Sequence, residues 1–184
     1  LCLIDPKPRD MDEEDRQLLE DLGAMIEQEI KSIQMATLDE LTLISNRRGF
    51  LNLAEHSMKT SRRKNMPVTI MLFDLDKFKP INDDYGHHEG DFALKTFAQT
   101  LLETIRECDI VGRWGGDEFV ALLTDTASEQ VEFVLSRLKE NIDNANKANG
   151  KPYNIEFSAG VVEFDSDNDL SIEEMLEQAD AEMY

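Results

Sequence analysis

Two acidic strand ends carry the chemistry that this sequence offers. Asp117 and Glu118 follow the glycine pair Gly115-Gly116, which sits between two apolar, β-branched runs, Asp109-Ile110-Val111-Gly112-Arg113-Trp114 and Glu118-Phe119-Val120-Ala121-Leu122-Leu123. Gly-Gly between such runs predicts a tight hairpin with positive φ angles at its turn. Upstream, Val68-Thr69-Ile70-Met71-Leu72-Phe73 runs into Asp74-Leu75-Asp76, a second strand ending in carboxylates. Mg²⁺ takes hard oxygen ligands, often one or two carboxylates plus substrate phosphates, and keeps several waters. Two such ions can activate an attacking hydroxyl and stabilise the leaving oxygen of an in-line displacement. The residues point to phosphoryl or nucleotidyl transfer; the alternative is a solvated acidic turn.

Around these strand ends the sequence predicts alternating helices and strands. Asn46 to Lys64 reads as a helix turning Phe50, Leu51, Leu53 and Ala54 inward and ending in the solvated cluster Arg62-Arg63-Lys64. A strand over 68–75, a short helix over 77–85 and a longer helix from Gly90 to Arg106 follow, the last with a core face of Phe92, Leu94, Phe97, Leu101, Leu102 and Ile105. Beyond the hairpin, Ser128 is the expected N-cap of a helix running to about Asn146 and stopped by Asn149-Gly150. Asn154 to Phe164 reads as a strand, and Ser171-Ile172-Glu173-Glu174 as the capping-box start of a last helix. The central hairpin excludes a purely parallel sheet and favours an α+β, ferredoxin-like layer. Ahead of this domain, Leu1 to Asp5 has strand composition, Pro6 and Pro8 break the chain, and a helix from Asp12 to about Thr37 carries Leu19, Leu22, Ile26, Ile30 and Ile33 as an apolar stripe. That stripe packs either on its own domain or, as is favoured for so acidic a helix, on a second copy in a parallel two-stranded stalk.

The run from Gly115 to Phe119 spells the name of the GGDEF family, the diguanylate cyclases, and the chain resembles that family well beyond those letters. Asp39-Glu40-Leu41-Thr42, with Asn46-Arg47-Arg48, looks like its opening signature. Asp74-Leu75-Asp76-Lys77-Phe78-Lys79-Pro80-Ile81-Asn82-Asp83-Asp84-Tyr85-Gly86-His87, with Gly90-Asp91, is similar to its nucleotide-binding segment. The resemblance covers residues 38 to 184. It implies a mostly antiparallel sheet wrapped by helices, of the nucleotidyl-cyclase and polymerase-palm type, and a dimer that condenses two GTP into cyclic di-GMP with release of pyrophosphate. Under it, Asp74, Asp117 and the Leu75 carbonyl would hold Mg²⁺ or Mn²⁺, with two ions per site possible and Glu118 beside them, and Asp117 corresponds to the proposed proton acceptor. Asn82 and Asp91 correspond to guanine readers, Asp91 having helix capping as its alternative. Phe78 and His87 match substrate-binding positions, and Lys79 a phosphate-facing one suited to developing charge. Arg106-Glu107-Cys108-Asp109 matches the family's product-inhibition motif, with Arg137 where a second arginine is often supplied. Arg106 alternatively is an exposed basic helix end.

The chain also departs from the family. Leu43-Ile44 stands where Gly-Leu is common, and Asp117 where many relatives carry Glu. The Lys-x-x-Gly-Arg-Asn segment expected after the final tyrosine is absent, so the domain reads as C-terminally truncated. These departures keep open a degenerate domain that binds GTP or cyclic di-GMP without turnover. Residues 1 to 30 resemble the last strand and helix of a GAF sensory domain, making residues 1–37 a sensor remnant and signalling helix that could act alone as a dimerisation module. Over 184 residues the net charge is −20, which argues against nucleic acid and anionic membranes as partners. Cys2 and Cys108 have no metal or disulfide spacing, so a reduced cytoplasmic compartment is expected. No apolar run reaches the ~18 residues of a membrane span, and no internal repeat or low-complexity tract occurs.

Overall fold

The computed structural model describes residues 11–164 and 170–183. The expected strand at Leu1 to Asp5 lies outside them. The chain divides between Ala36 and Thr37 into two units. The first holds α1 (Glu13–Thr37), which ends at the division, begins with Glu13, Glu14 and Asp15 in its first turn, and buries none of its residues. Acidic side chains there complement the positive end of the helix dipole.

The second unit is a five-stranded sheet ordered β1-β3-β4-β2-β5, built from β1 (Ser45–Asn46), β2 (Val68–Leu75), β3 (Ile110–Gly115), β4 (Glu118–Thr124) and β5 (Phe157–Glu163). Only β1 and β3 pair in parallel; β3 with β4, β4 with β2 and β2 with β5 are antiparallel. The expected α+β, mostly antiparallel architecture is the one observed. The helices are α2 (Arg47–Lys64), α3 (Phe78–Tyr85), α4 (His87–Thr104), α5 (Ser128–Asn149) and α6 (Ile172–Ala181).

Strand pleating sends alternate side chains to opposite faces, and both faces of β2 are covered. Met71, Phe73 and Leu75 join Phe97 and Leu101 of α4 and Leu138 and Ile142 of α5 in one core. Ile70 and Leu72 join Phe50 and Ala54 of α2 and Met175, Leu176 and Ala179 of α6 in the other. Burying side chains of this size contributes about 1.5–3 kcal/mol each, so the centre of β2 is a rigid base for the acidic end that follows it.

Several expectations change in detail. Leu53 and Leu102 are exposed, because the helices sit on the sheet along narrower faces than their apolar content suggests. α4 begins at His87 rather than Gly90, since Gly86, at φ 90°, is enough to break α3 from it. Ser128 is the first helical residue of α5, not its cap; Ala127 takes that position and offers no side-chain acceptor, although its N–H donates to Gln130 Oε1 at 3.2 Å. The helix stops at Gly150, which is left-handed at φ 62°. The capping box of α6 is present: Glu174 N–H donates to Ser171 Oγ at 3.2 Å, and Ser171 N–H to Glu174 Oε2 at 2.8 Å.

Candidate active site

β2 and β4 bring the two acidic strand ends together. Asp74 lies directly opposite Glu118 in the antiparallel register. Because Ile70 and Leu72 share a face with Val120 and Leu122, the two-residue period puts Asp74 and Glu118 on that same face. Like charges directly opposite one another destabilise a sheet, so this pair is retained against the preference of the fold. The turn differs from the expected one. Gly115 pairs with Glu118 across a register shift that follows Arg113, leaving Gly116 and Asp117 as the turn residues. Neither glycine takes positive φ; the bulge at Trp114 supplies the bend instead.

The turn is held on both sides. Arg113 donates through Nε and Nη2 to the Gly116 carbonyl at 3.0 and 2.7 Å, and through Nη1 to both oxygens of Asp39 at 3.2 and 3.1 Å. Burial alone would raise the Asp39 carboxyl, but the Thr42 hydroxyl and amide and the Arg113 charge outweigh it and hold the group below its ordinary value. Leu75 N–H donates to the Asp117 carbonyl at 3.3 Å, fixing the turn to the end of β2. Asp76 accepts from Ser158 Oγ at 2.7 Å.

Negative charge accumulates here beyond what the hairpin supplies. Asp74 is pushed up to about 6, first by burial, then by Asp117, Glu118, Asp76 and Asp180. Asp180 comes from α6 and was not expected in the site. A cleft of about 220 Å³ beside the pair is lined by Arg47, Trp114, Glu118, Glu173, Glu177 and Asp180 among others. Arg47 stacks over the Trp114 ring at 4.2 Å. Among the described residues no three His, Cys, Asp or Glu side chains converge closely enough to cage an ion. The donors fit a hard cation that retains waters and takes remaining ligands from a substrate.

A second group of residues lies at the α3–α4 corner. Asn82 Oδ1 is 3.2 Å from His87 Nδ1. A Cβ on Gly90 would come within 2.1 Å of Asn82 Oδ1, so glycine there lets the Asn82 side chain lie against α4. Asp91 is in the second turn of α4, past the positions a capping side chain serves, which removes the capping alternative. Phe78 packs partly into the core and Lys79 is exposed on the first turn of α3.

The remaining predicted residues meet at the far end of β3. Arg106, Asp109 and Arg137 line one cleft of about 270 Å³ with Ile105, Phe133 and Val134. Asp109 is already engaged, accepting from Arg106 N–H at 3.1 Å and Thr124 N–H at 2.9 Å. Arg137 donates to the Thr104 carbonyl, and its Nε is buried without a partner. At ~3.3 Å rise per residue, the six residues of β3 separate this cleft from the acidic turn by roughly 20 Å.

The family described as "Diguanylate cyclase, GGDEF domain" matches residues 36–184. The chain belongs to the GGDEF family. Diguanylate cyclase DosC of Escherichia coli K12 is 30% identical over 149 residues, 80% of this chain and 32% of DosC. The chain thus spans about a third of the length of that relative. Among solved structures, Pseudomonas aeruginosa diguanylate cyclase SiaD in complex with its activator SiaC is similar at TM-score 0.72 and 27% identity, covering 92% of this chain and 66% of that one. The Caulobacter crescentus DgcB GGDEF domain in complex with c-di-GMP gives TM-score 0.71 and 25% identity, covering 79% and 84%. Within this GGDEF domain, sequence reading found the acidic turn but did not place Asp180, Glu173 and Glu177 beside it, since α6 is read there only from its capping-box start. It also missed Glu89, Lys151 and Tyr153, which hydrogen-bond at the α3–α4 corner.

Proposed function

We propose that this chain is the catalytic domain of a diguanylate cyclase, condensing two GTP into cyclic di-GMP. The observation that carries the reading is the cross-strand Asp74–Glu118 pair beside Asp117, a concentration of negative charge that a divalent cation would neutralise while binding a substrate's phosphates. In each step a ribose 3′-oxygen forms a bond to the α-phosphorus of the other GTP, the bond from that phosphorus to the β-phosphate bridge breaks, and pyrophosphate leaves. Asp74, Asp117 and the Leu75 carbonyl would hold Mg²⁺ or Mn²⁺, with Glu118 beside them. The ion would supply neutralisation of phosphate charge and sharpen the attacking hydroxyl. Asp117 accepts the hydroxyl proton, and Lys79 faces the triphosphate with Phe78.

Asn82 and Asp91 read guanine, as an amide and a carboxylate suit its carbonyl and adjacent N–H donors, with His87 steadying Asn82. Each protomer carries one GTP, so two half-sites face each other across a homodimer formed through α1. Arg106, Asp109 and Arg137 bind cyclic di-GMP as inhibitor. Residues 1–37 serve as a signalling helix with a GAF-like remnant, and the reaction takes place in the cytoplasm, where GTP is available. No helix among the described residues is long and apolar enough to cross a membrane.

The test is chromatography of products after incubating the purified protein with GTP and Mg²⁺. Cyclic di-GMP and pyrophosphate from the wild type, and neither from Asp117→Asn, are expected. GTP binding by calorimetry without any product would assign the domain to binding instead.

A further inference from the structure

The short segment after α5 reaches across to both helices of the guanine corner. Lys151 Nζ donates to Glu89 Oε1 at 2.8 Å, and Tyr153 Oη donates to Glu89 Oε2 at 2.7 Å. The Tyr153 ring lies against Tyr85 at the end of α3, centroids 5.1 Å apart, while Lys151 Nζ sits 4.5 Å above the Phe92 ring. Tyr85 and Glu89 flank Gly86, whose φ of 90° breaks α3 from α4 and sets the angle of the corner. Phe92 adjoins Asp91, and Asn82 is one turn before Gly86. The segment is itself anchored: Asn146 exchanges two hydrogen bonds with the backbone of Ile155, at 2.8 and 2.9 Å, and Lys151 N–H donates to Asn149 Oδ1 at 2.9 Å.

We infer that Glu89, Lys151 and Tyr153 form a clamp that fixes the angle between α3 and α4, making them positioning residues for base specificity in the GTP site. The inference rests on the reading of Asn82 and Asp91 as guanine contacts. Glu89 is half-buried and accepts from both partners, so it is a charge-assisted centre rather than a surface pair. Its carboxyl is held below its ordinary value, first by the Lys151 bond and then by Tyr153, while Tyr153, chiefly through burial, is raised. The contacts of Lys151 and Tyr153 run to Glu89, Tyr85 and Phe92, none of which belongs to the acidic turn or to the residues proposed to hold the ion or face the triphosphate. Loosening it therefore weakens base binding equally in ground and transition states, which raises KM and leaves kcat unchanged.

The test compares wild type, Tyr153→Phe, Lys151→Met and Lys151→Arg, measuring kcat and KM for GTP and calorimetric affinity for GTP against inosine triphosphate, which lacks the amino group that Asp91 would read. Wild type should prefer GTP. Tyr153→Phe and Lys151→Met should raise KM by about tenfold and lower the preference by a similar factor, with kcat within about twofold, since small misplacements of a contact cost this much or more. Lys151→Arg should retain wild-type values. A fall in kcat with unchanged KM and preference, or unchanged values throughout, would overturn the clamp while leaving the cyclase reading intact. A wild type that binds neither nucleotide would overturn both.

Discussion

Asp74 carries two opposed demands, and its charge separates them. In chelator, its folded-state value of about 6 against an ordinary 3.8 means that the folded protein binds this proton more tightly than the unfolded chain. The associated stability is fully present below about pH 4 and is lost as pH rises through about 6. At pH 7.5 without metal, Asp74→Asn should therefore melt above the wild type, at about 2–4 °C per kcal/mol for a chain of this size. The advantage should vanish at pH 4. Added Mg²⁺ should raise the wild-type melting temperature and leave the variant unmoved, and the variant should make no product. A lower melting temperature for Asp74→Asn at pH 7.5 would contradict this account. At the other end of β3, Arg106→Ala should weaken binding of cyclic di-GMP and relieve product inhibition without altering the initial rate. An unchanged inhibition curve would leave Arg106 as a loop residue just beyond α4. Both groups were legible in the sequence because strand-end carboxylates and the resemblance to the family mark their members, not because they lie close in the chain. Asp180 was not, nor were Lys151 and Tyr153 as partners of Glu89, since only the closed fold brings such distant positions together.

At the scale of elements, apolar patterning together with caps and glycine turns located every helix and every strand longer than two residues in the described second unit. β1, Ser45–Asn46, is too short to carry a period, and its parallel pairing with β3 could not be read from residues alone. Loop chemistry was read less well, because bulges and caps depend on partners elsewhere. The turn at Leu43 makes the point quantitatively. Leu43 has φ 61° and a 73% exposed side chain, at the position where the sequence departs from the glycine common in the family. Left-handed backbone costs an L-residue roughly 1–2 kcal/mol, whereas glycine adds about 0.4–1 kcal/mol of unfolded-state entropy. Relief of strain wins, with no packing to lose. Leu43→Gly should stabilise the domain by about 0.5–1 kcal/mol, read as a higher urea midpoint at unchanged slope. Destabilisation would mean that the Leu43 side chain makes a contact worth more than its strain.

For the whole molecule, the exposed apolar stripe of α1 requires a cover. Its stripe was legible in the sequence, and Leu22, Ile26, Ile30 and Ile33 are indeed exposed along it, but the choice between packing on its own domain and pairing with a second copy lay beyond any periodicity argument. The proposed chemistry favours the second copy, because one GTP per protomer requires two sites to meet. A parallel pair would also bring like charges together, as only Arg16 and Lys31 offset the carboxylates of α1. Hydrophobic association and charge repulsion respond oppositely to salt. Raising NaCl from low to physiological concentration shortens the Debye length to about 8 Å, so dimerisation followed by sedimentation should tighten with salt, whereas an association driven by ion pairs would loosen. Replacing Leu22, Ile26 and Ile30 together by Asn should give a monomer at all salt concentrations, with circular dichroism of the second unit preserved. Its turnover should fall steeply and become second order in protein. A triple variant that stays dimeric, or a monomer with full turnover at low protein concentration, would remove α1 from the assembly of the site.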